Sequence, residues 1–377
     1  MAHAEHEHHL PEPFWRRYVF STDHKTIGIQ YGITALVFLF FGFCLVMLMR
    51  YSLAYPGQPL PVIGGLLNLP APGAIPPEFY NQLGAMHGTI MVFLGVVPLA
   101  VGAFGNYFVP LQVGAPDMAF PKLNMASYWV YFVGGVIMLI SFFVPGGAAK
   151  SGWTSYAPLS VIETVGQTWW LIAMMFLITS SLLGSINIIC TIVQLRAPGL
   201  SYMRMPFFVW AQLITSFLLL LAFPPLEAAG VMQLLDRLAG TSFFLPTGLV
   251  VSGEPLQVAG GGSALLWQHL FWFLAHPEVY VLILPAFGII AEVIANNTRK
   301  PLWGYKSLVY AALFMGFMSF IVWAHHMFLT GMGTAINSFF QFTTMVISVP
   351  SIIILTALIL SLWGGSIRFT APMKFAL

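Results

Sequence analysis

The chain has 377 residues, of which 58% are hydrophobic and only 7% are charged. A soluble domain carries about 25% charged residues, so this surface cannot mostly face water. With 14 Lys+Arg against 12 Asp+Glu the net charge is +2, which excludes a polybasic nucleic-acid binder. Residues 1–27 read as a polar N-terminal tail and 28–377 as a membrane-embedded core. The first apolar run starts near Ile27, with no cleavable signal peptide in view, and is long enough for a permanent anchor. A membrane helix needs about 20 mostly apolar residues. Eight runs qualify: Ile29–Arg50, Leu83–Phe108, Ala126–Pro145, Gln167–Leu195, Phe207–Leu235, Ala264–Ala295, Tyr305–Thr330 and Ile336–Trp363. They lack the alternation of a barrel, and irregular backbone cannot face lipid. The fold class is therefore an all-α polytopic membrane protein with about eight transmembrane helices. Cys44 and Cys190 fall inside apolar runs, so no disulfide framework is expected.

Orientation follows from the basic residues. With a cytoplasmic N-terminus, Arg16, Arg17, Lys25, Lys122, Arg196, Arg204, Arg299, Lys300, Lys306, Arg368 and Lys374 fall inside, and only Arg50, Lys150 and Arg237 fall outside. The expectation is a multi-pass protein of a bacterial plasma membrane with its N-terminus cytoplasmic.

His3, His6, His8 and His9 belong to the tail and read as a solvated end; His24 reads as interfacial. His87, His269, His276, His325 and His326 fall within membrane runs, where ionisable groups are costly and need a reason. One buried His is usually structural. Here His87, His276, His325 and His326 come from three helices at similar depth in the outer half of the bilayer. Neutral imidazole suits copper, iron and zinc, so a buried metal or haem site is expected. His276 and Tyr280 are spaced i, i+4 and share one helix face. Glu278 points away from that face, deep in the membrane, as a proton relay would require; a structural hydrogen bond is its plain alternative.

Met86–Phe93 (M-H-G-T-I-M-V-F), Gly114–Pro121 (G-A-P-D-M-A-F-P), Trp267–Pro285 (W-Q-H-L-F-W-F-L-A-H-P-E-V-Y-V-L-I-L-P) and Val322–Phe328 (V-W-A-H-H-M-F) resemble subunit I of the haem–copper oxygen reductases. The match looks most like the A-type cytochrome c oxidases. Ser21–Gly28 and Leu195–Gly199 agree, and the resemblance covers nearly the whole chain in the family order. It implies part of a roughly twelve-helix fold and the catalytic subunit of a terminal respiratory oxidase. That subunit reduces O2 to water and couples the reaction to proton uptake and pumping. The implied cofactors are a low-spin haem a, a high-spin haem a3 and copper B. His87 would be an axial ligand of the low-spin haem, and His276, His325 and His326 would hold the copper. Tyr280 would be a phenol cross-linked to His276, and Glu278 the branch-point proton donor. Asp117 would open the proton path, lined by Asn106, Asn124, Ser180, Ser181 and Asn187. Arg50 would hydrogen-bond the haem formyl. Trp153, Trp272 and Trp323 fall in family-like segments where packing is an equal alternative. Implied partners are oxidase subunits II and III, cytochrome c or a quinol as donor, and the lipid bilayer, with no nucleic acid.

Three departures stand out. No His follows His326, so the H-F-H motif that completes both haem sites is missing, and a truncated or split subunit is expected. Ile354 stands where A-type relatives carry the lysine of a second proton path. Glu227 sits where an apolar residue is expected, as a substitute proton group or, by default, a hydrogen bond facing the bundle. Two other readings compete. A metal transporter would bind metal without haem. A nitric oxide reductase relative would lack both Tyr280 and the Asp117–Glu278 pattern.

Overall fold

The computed structural model describes residues 13–67, 69 and 73–377. The histidines and glutamates of the tail, up to Glu12, lie outside them. The crossing segments are α1 (His24–Ala54), α2 (Pro77–Val113), α3 (Pro121–Phe143), α4 (Gly166–Gln194), α5 (Phe207–Leu238), α6 (Ala264–Thr298), α7 (Tyr305–Ser319) and α8 (Thr334–Leu362). Among the described residues, all of these but α7 are long and apolar enough to cross a membrane. The chain is a polytopic helical membrane protein. Its only described strands, β1 (Val250–Val251) and β2 (Glu254–Pro255), pair antiparallel between α5 and α6.

Local chemistry sets the helix ends. The Asp23 side chain accepts from the Thr26 N–H at 2.8 Å and caps α1, satisfying one of the donors that a helix start leaves open. α2 stops at Gly114, whose φ of 73° few other residues adopt. α5 is the most buried crossing and packs broadly on α4 and α6. Gly288 permits the approach of α6, because a Cβ there would meet the Phe208 Cα at 2.9 Å. α1 instead turns Ile33, Val37 and Phe40 outward, as a lipid-facing helix does.

The apolar pattern predicts one seventh helix over Tyr305–Thr330, with His325 and His326 about a turn from its end. The structure divides that run. α7 has 15 residues and ends at Ser319, and Trp323–Met327 forms a separate 3-10 turn. Fifteen residues rise about 22 Å, short of a core of about 30 Å, so the crossing is completed by the turn that carries the histidines. Hydropathy measures burial and is blind to where the hydrogen-bond ladder stops. Contacts with α6 hold the turn in place: the Trp323 indole donates to His269 Nδ1 at 3.3 Å, and its ring packs edge-on to Phe273.

The loop before α4 is tied to the end of α5 by Arg237. Its guanidinium donates to Thr168 Oγ1 and to the carbonyls of Ser160, Val161, Glu163 and Thr164. Gln233, one turn earlier, bonds Ser160 and Gln167. A basic residue that the charge count treats only as a topology marker is thus the centre of a loop clamp.

Candidate metal centre

α6 delivers His276 and the turn after α7 delivers His325 and His326. Their ligand nitrogens lie within 4.8 Å of one another, the only such group of three among the described residues. His276 Nδ1 is 3.3 Å from His326 Nε2, and His325 Nε2 is 3.1 Å from the same atom. His276 is buried, His325 half-buried and His326 open on one side. Three imidazole nitrogens aimed at one point form a nitrogen-donor set of the kind copper and zinc take. The Nε2 of His276 is buried and without a hydrogen-bond partner. The fourth expected imidazole, His87, stands apart from the cluster. Its Nδ1 meets the Gly42 carbonyl at 2.9 Å, which fixes the ring and leaves Nε2 outside that bond.

Tyr280 packs edge-on against His276, with ring centroids 4.9 Å apart, as the i, i+4 spacing predicts. Trp272 lies one turn before His276 and stacks on His326 at 3.8 Å with an interplanar angle of 12°. The Trp272 indole N–H in turn donates to the Tyr156 hydroxyl. Glu278 is 2% exposed, and neither carboxyl oxygen has a hydrogen-bond partner. His269, the remaining membrane histidine, is held by Trp323 outside the cluster.

The other predicted residues separate by environment. Asp117 is half-buried in the loop between α2 and α3. Burial raises its pKa above the ordinary carboxylate value, offset in part by the Met118 N–H it accepts and by His24 nearby. Asn106, Ser180 and Ser181 line a cavity of about 40 Å³ together with Tyr31 and Tyr131. That is room for water, and Asn106 Oδ1 is buried there without a partner. Asn124 is likewise buried with both amide atoms unpartnered. Asn187 instead spends its amide on the Phe120 backbone, donating to the carbonyl and accepting from the N–H. Arg50 is exposed near the end of α1. Glu227 accepts from Thr179 Oγ1 at 2.9 Å, bridging α5 and α4. Ile354 is fully buried on α8.

Two residues of the site were not anticipated from the sequence. Tyr156 comes from a loop far from α6 in the chain, and no spacing rule links it to Trp272. Thr344, on α8, meets His325 Nδ1 at 2.9 Å and so orients the ring that turns Nε2 to the cluster. Threonines are unremarkable in membrane helices, where they commonly bond their own backbone. Replacing Thr344 with valine removes this bond at almost constant volume. Copper affinity, measured by chelator competition, is expected to fall about 10- to 100-fold, the usual cost of losing a partner behind a metal ligand. An unchanged affinity would show that the bond does not orient His325.

Comparison with known proteins agrees with this geometry. The family model described as cytochrome c and quinol oxidase polypeptide I matches residues 26–377. The chain is 44% identical over 372 residues to the alternative cytochrome c oxidase subunit 1 of Bradyrhizobium diazoefficiens, covering 97% of this chain and 60% of that protein. It is 44% identical over 368 residues to cytochrome c oxidase subunit 1 of a Synechocystis species, covering 97% of this chain and 62% of the relative. For cytochrome c oxidase subunit 1 of a Bacillus species the identity is 42% over 361 residues, with 95% and 54% covered. The chain thus spans less than two thirds of the length of these relatives. With this family model matched over nearly the whole chain, the chain belongs to the cytochrome c and quinol oxidase polypeptide I family.

Proposed function

We propose that this chain supplies the copper-binding half of an oxygen-reducing centre in a respiratory oxidase and carries protons to it. The convergence of His276, His325 and His326, with Tyr280 a turn away, carries this reading. Neutral imidazoles fit copper B, and the His87 nitrogen left open by the Gly42 bond would hold the iron of the low-spin haem a. When bound, copper with the haems supplies the electron transfer and the O2 chemistry. Arg50 is proposed to meet the haem formyl.

The protein's own part is positioning and proton supply. Trp272 holds the open face of His326, and Thr344 sets the tilt of His325. Tyr280, packed on His276, would supply a proton and an electron to the bound centre; His276 Nε2 is the atom a cross-link to the phenol would use, with O2 at the centre taking up the two electrons and two protons that bond formation releases. Asp117 collects protons at the basic end of the bundle, taken as cytoplasmic from the bias in Lys and Arg. From Glu278 to that end of α6 is roughly 30 Å, too far for direct transfer through apolar packing. Water held among Asn106, Ser180 and Ser181 would shorten the gap, with the unpartnered amide of Asn124 as a further step. Oxidase subunits II and III and a cytochrome c or quinol donor complete the assembly, placed by this reading in a bacterial plasma membrane.

The test is to purify the complex from its native membrane and measure metal, haem and O2 uptake together. One copper per chain at the histidines, haem absorption bands and uptake of O2 driven by reduced donor are expected. Tightly bound metal without haem or O2 uptake would mean a metal-binding transporter.

A further inference from the structure

A groove of about 550 Å³ runs along the outside of the bundle between α5 and α7. Its walls are apolar: Leu213, Phe217 and Leu221 on α5, Leu313 and Phe317 on α7, and Phe320 just past the end of α7. Phe217, Leu221 and Phe317 are all exposed, so the groove opens sideways toward lipid. Gly316 lets the floor close, since a Cβ there would meet Ile214 Cγ2 at 2.8 Å. From Trp210 to Leu221 the helix rises about 16 Å, half of a core of about 30 Å. The groove is therefore one leaflet deep.

Its chemistry changes at one end. Trp210 and Tyr202 close it there, the residue types that favour a membrane–water boundary. The Arg196 guanidinium lies 3.8 Å from the Tyr202 ring centre, and its Nε and Nη1 donate to backbone carbonyls. Nη2 makes none of these bonds. Arg204 is exposed in the same loop. Lys306, also exposed, lies two turns before Leu313 on the same face of α7. Glu292, near this end, accepts from the Phe208 N–H at 3.4 Å. An apolar slot the length of one acyl chain ends in three cations.

We propose that this groove seats an acyl chain of an anionic phospholipid, with its phosphate held among Arg196, Arg204 and Lys306. The apolar length sets the depth of the lipid and the cations select its headgroup.

The test uses the complex containing this chain, exchanged into nanodiscs of equal dioleoylphosphatidylglycerol and dioleoylphosphatidylcholine. Lipids retained after release into detergent are counted by native mass spectrometry. The wild-type complex should retain phosphatidylglycerol in preference to phosphatidylcholine. R204Q/K306Q should cut phosphatidylglycerol retention roughly 10- to 30-fold and leave phosphatidylcholine unchanged, since each basic residue near an anionic surface is worth a factor of about five. L313W, which fills the slot, should lower both; F217W on the opposite wall carries the same expectation if L313W fails to assemble. A benzophenone amino acid at Phe317 should cross-link to lipid. Equal retention of the two lipids, no effect of the variants, or a cross-link to another polypeptide would each overturn the proposal.

Discussion

Alanine at His276 is expected to remove copper from the assembled complex while the absorption of the low-spin haem persists, with O2 uptake falling at least ~100-fold. The partners behind metal ligands already cost 10- to 100-fold when lost, so a ligand should cost no less. The separation of the two readouts follows from the fold. His276 stands on α6 with its Nδ1 turned to the nitrogens of the turn after α7, whereas His87 is anchored on α2 by the Gly42 carbonyl of α1. The substitution leaves Trp272 stacked on His326, so the neighbouring wall of the site should persist. Metal analysis and optical spectra of the same preparation decide the matter. Copper retained at wild-type occupancy would remove the basis of the assignment, and joint loss of copper and haem bands would mean that His276 holds the bundle together.

Glutamine at Glu278 has the second-largest expected effect. The carboxyl is buried, its oxygens have no hydrogen-bond partner, and the only ion pair among the described residues is Lys150 with Glu78. Burying an unpaired carboxylate costs many kcal/mol, so a proton leaving Glu278 must be replaced quickly along a conducting track. The amide keeps the shape and cannot carry the proton. O2 uptake should therefore fall about 10²- to 10⁴-fold, the range for losing a positioned acid or base, with copper and haem content unchanged. Infrared difference spectra should lose one carboxyl band. Uptake within a factor of two of wild type would show that protons reach the centre by another route. Glu227, bonded to Thr179 between α5 and α4, is then the next carboxyl to replace.

Much of this was legible in the chain itself. The apolar runs located the crossings because lipid leaves the backbone no partner but itself, and apart from α7 the helix ends moved by six residues or fewer. The i, i+4 spacing set Tyr280 against His276 on geometry internal to one helix. The break between Ser319 and Trp323 was not legible, because the same apolar letters serve a helix and a turn packed on α6. Nor was Thr344, whose role depends on which face of α8 meets the turn. Asn187 shows the reverse: its residue type suited a polar track, and its amide is committed to the backbone of Phe120.

Composition and spacing along single helices were enough to give the lipid solvent, the class of fold and the candidate ligand side chains. Only the tertiary structure decided that nitrogens some fifty positions apart in the chain meet within 4.8 Å, which of them faces which, and what braces them. Those relations are set by packing between helices, where short-range contact energies choose among arrangements that a linear pattern cannot tell apart.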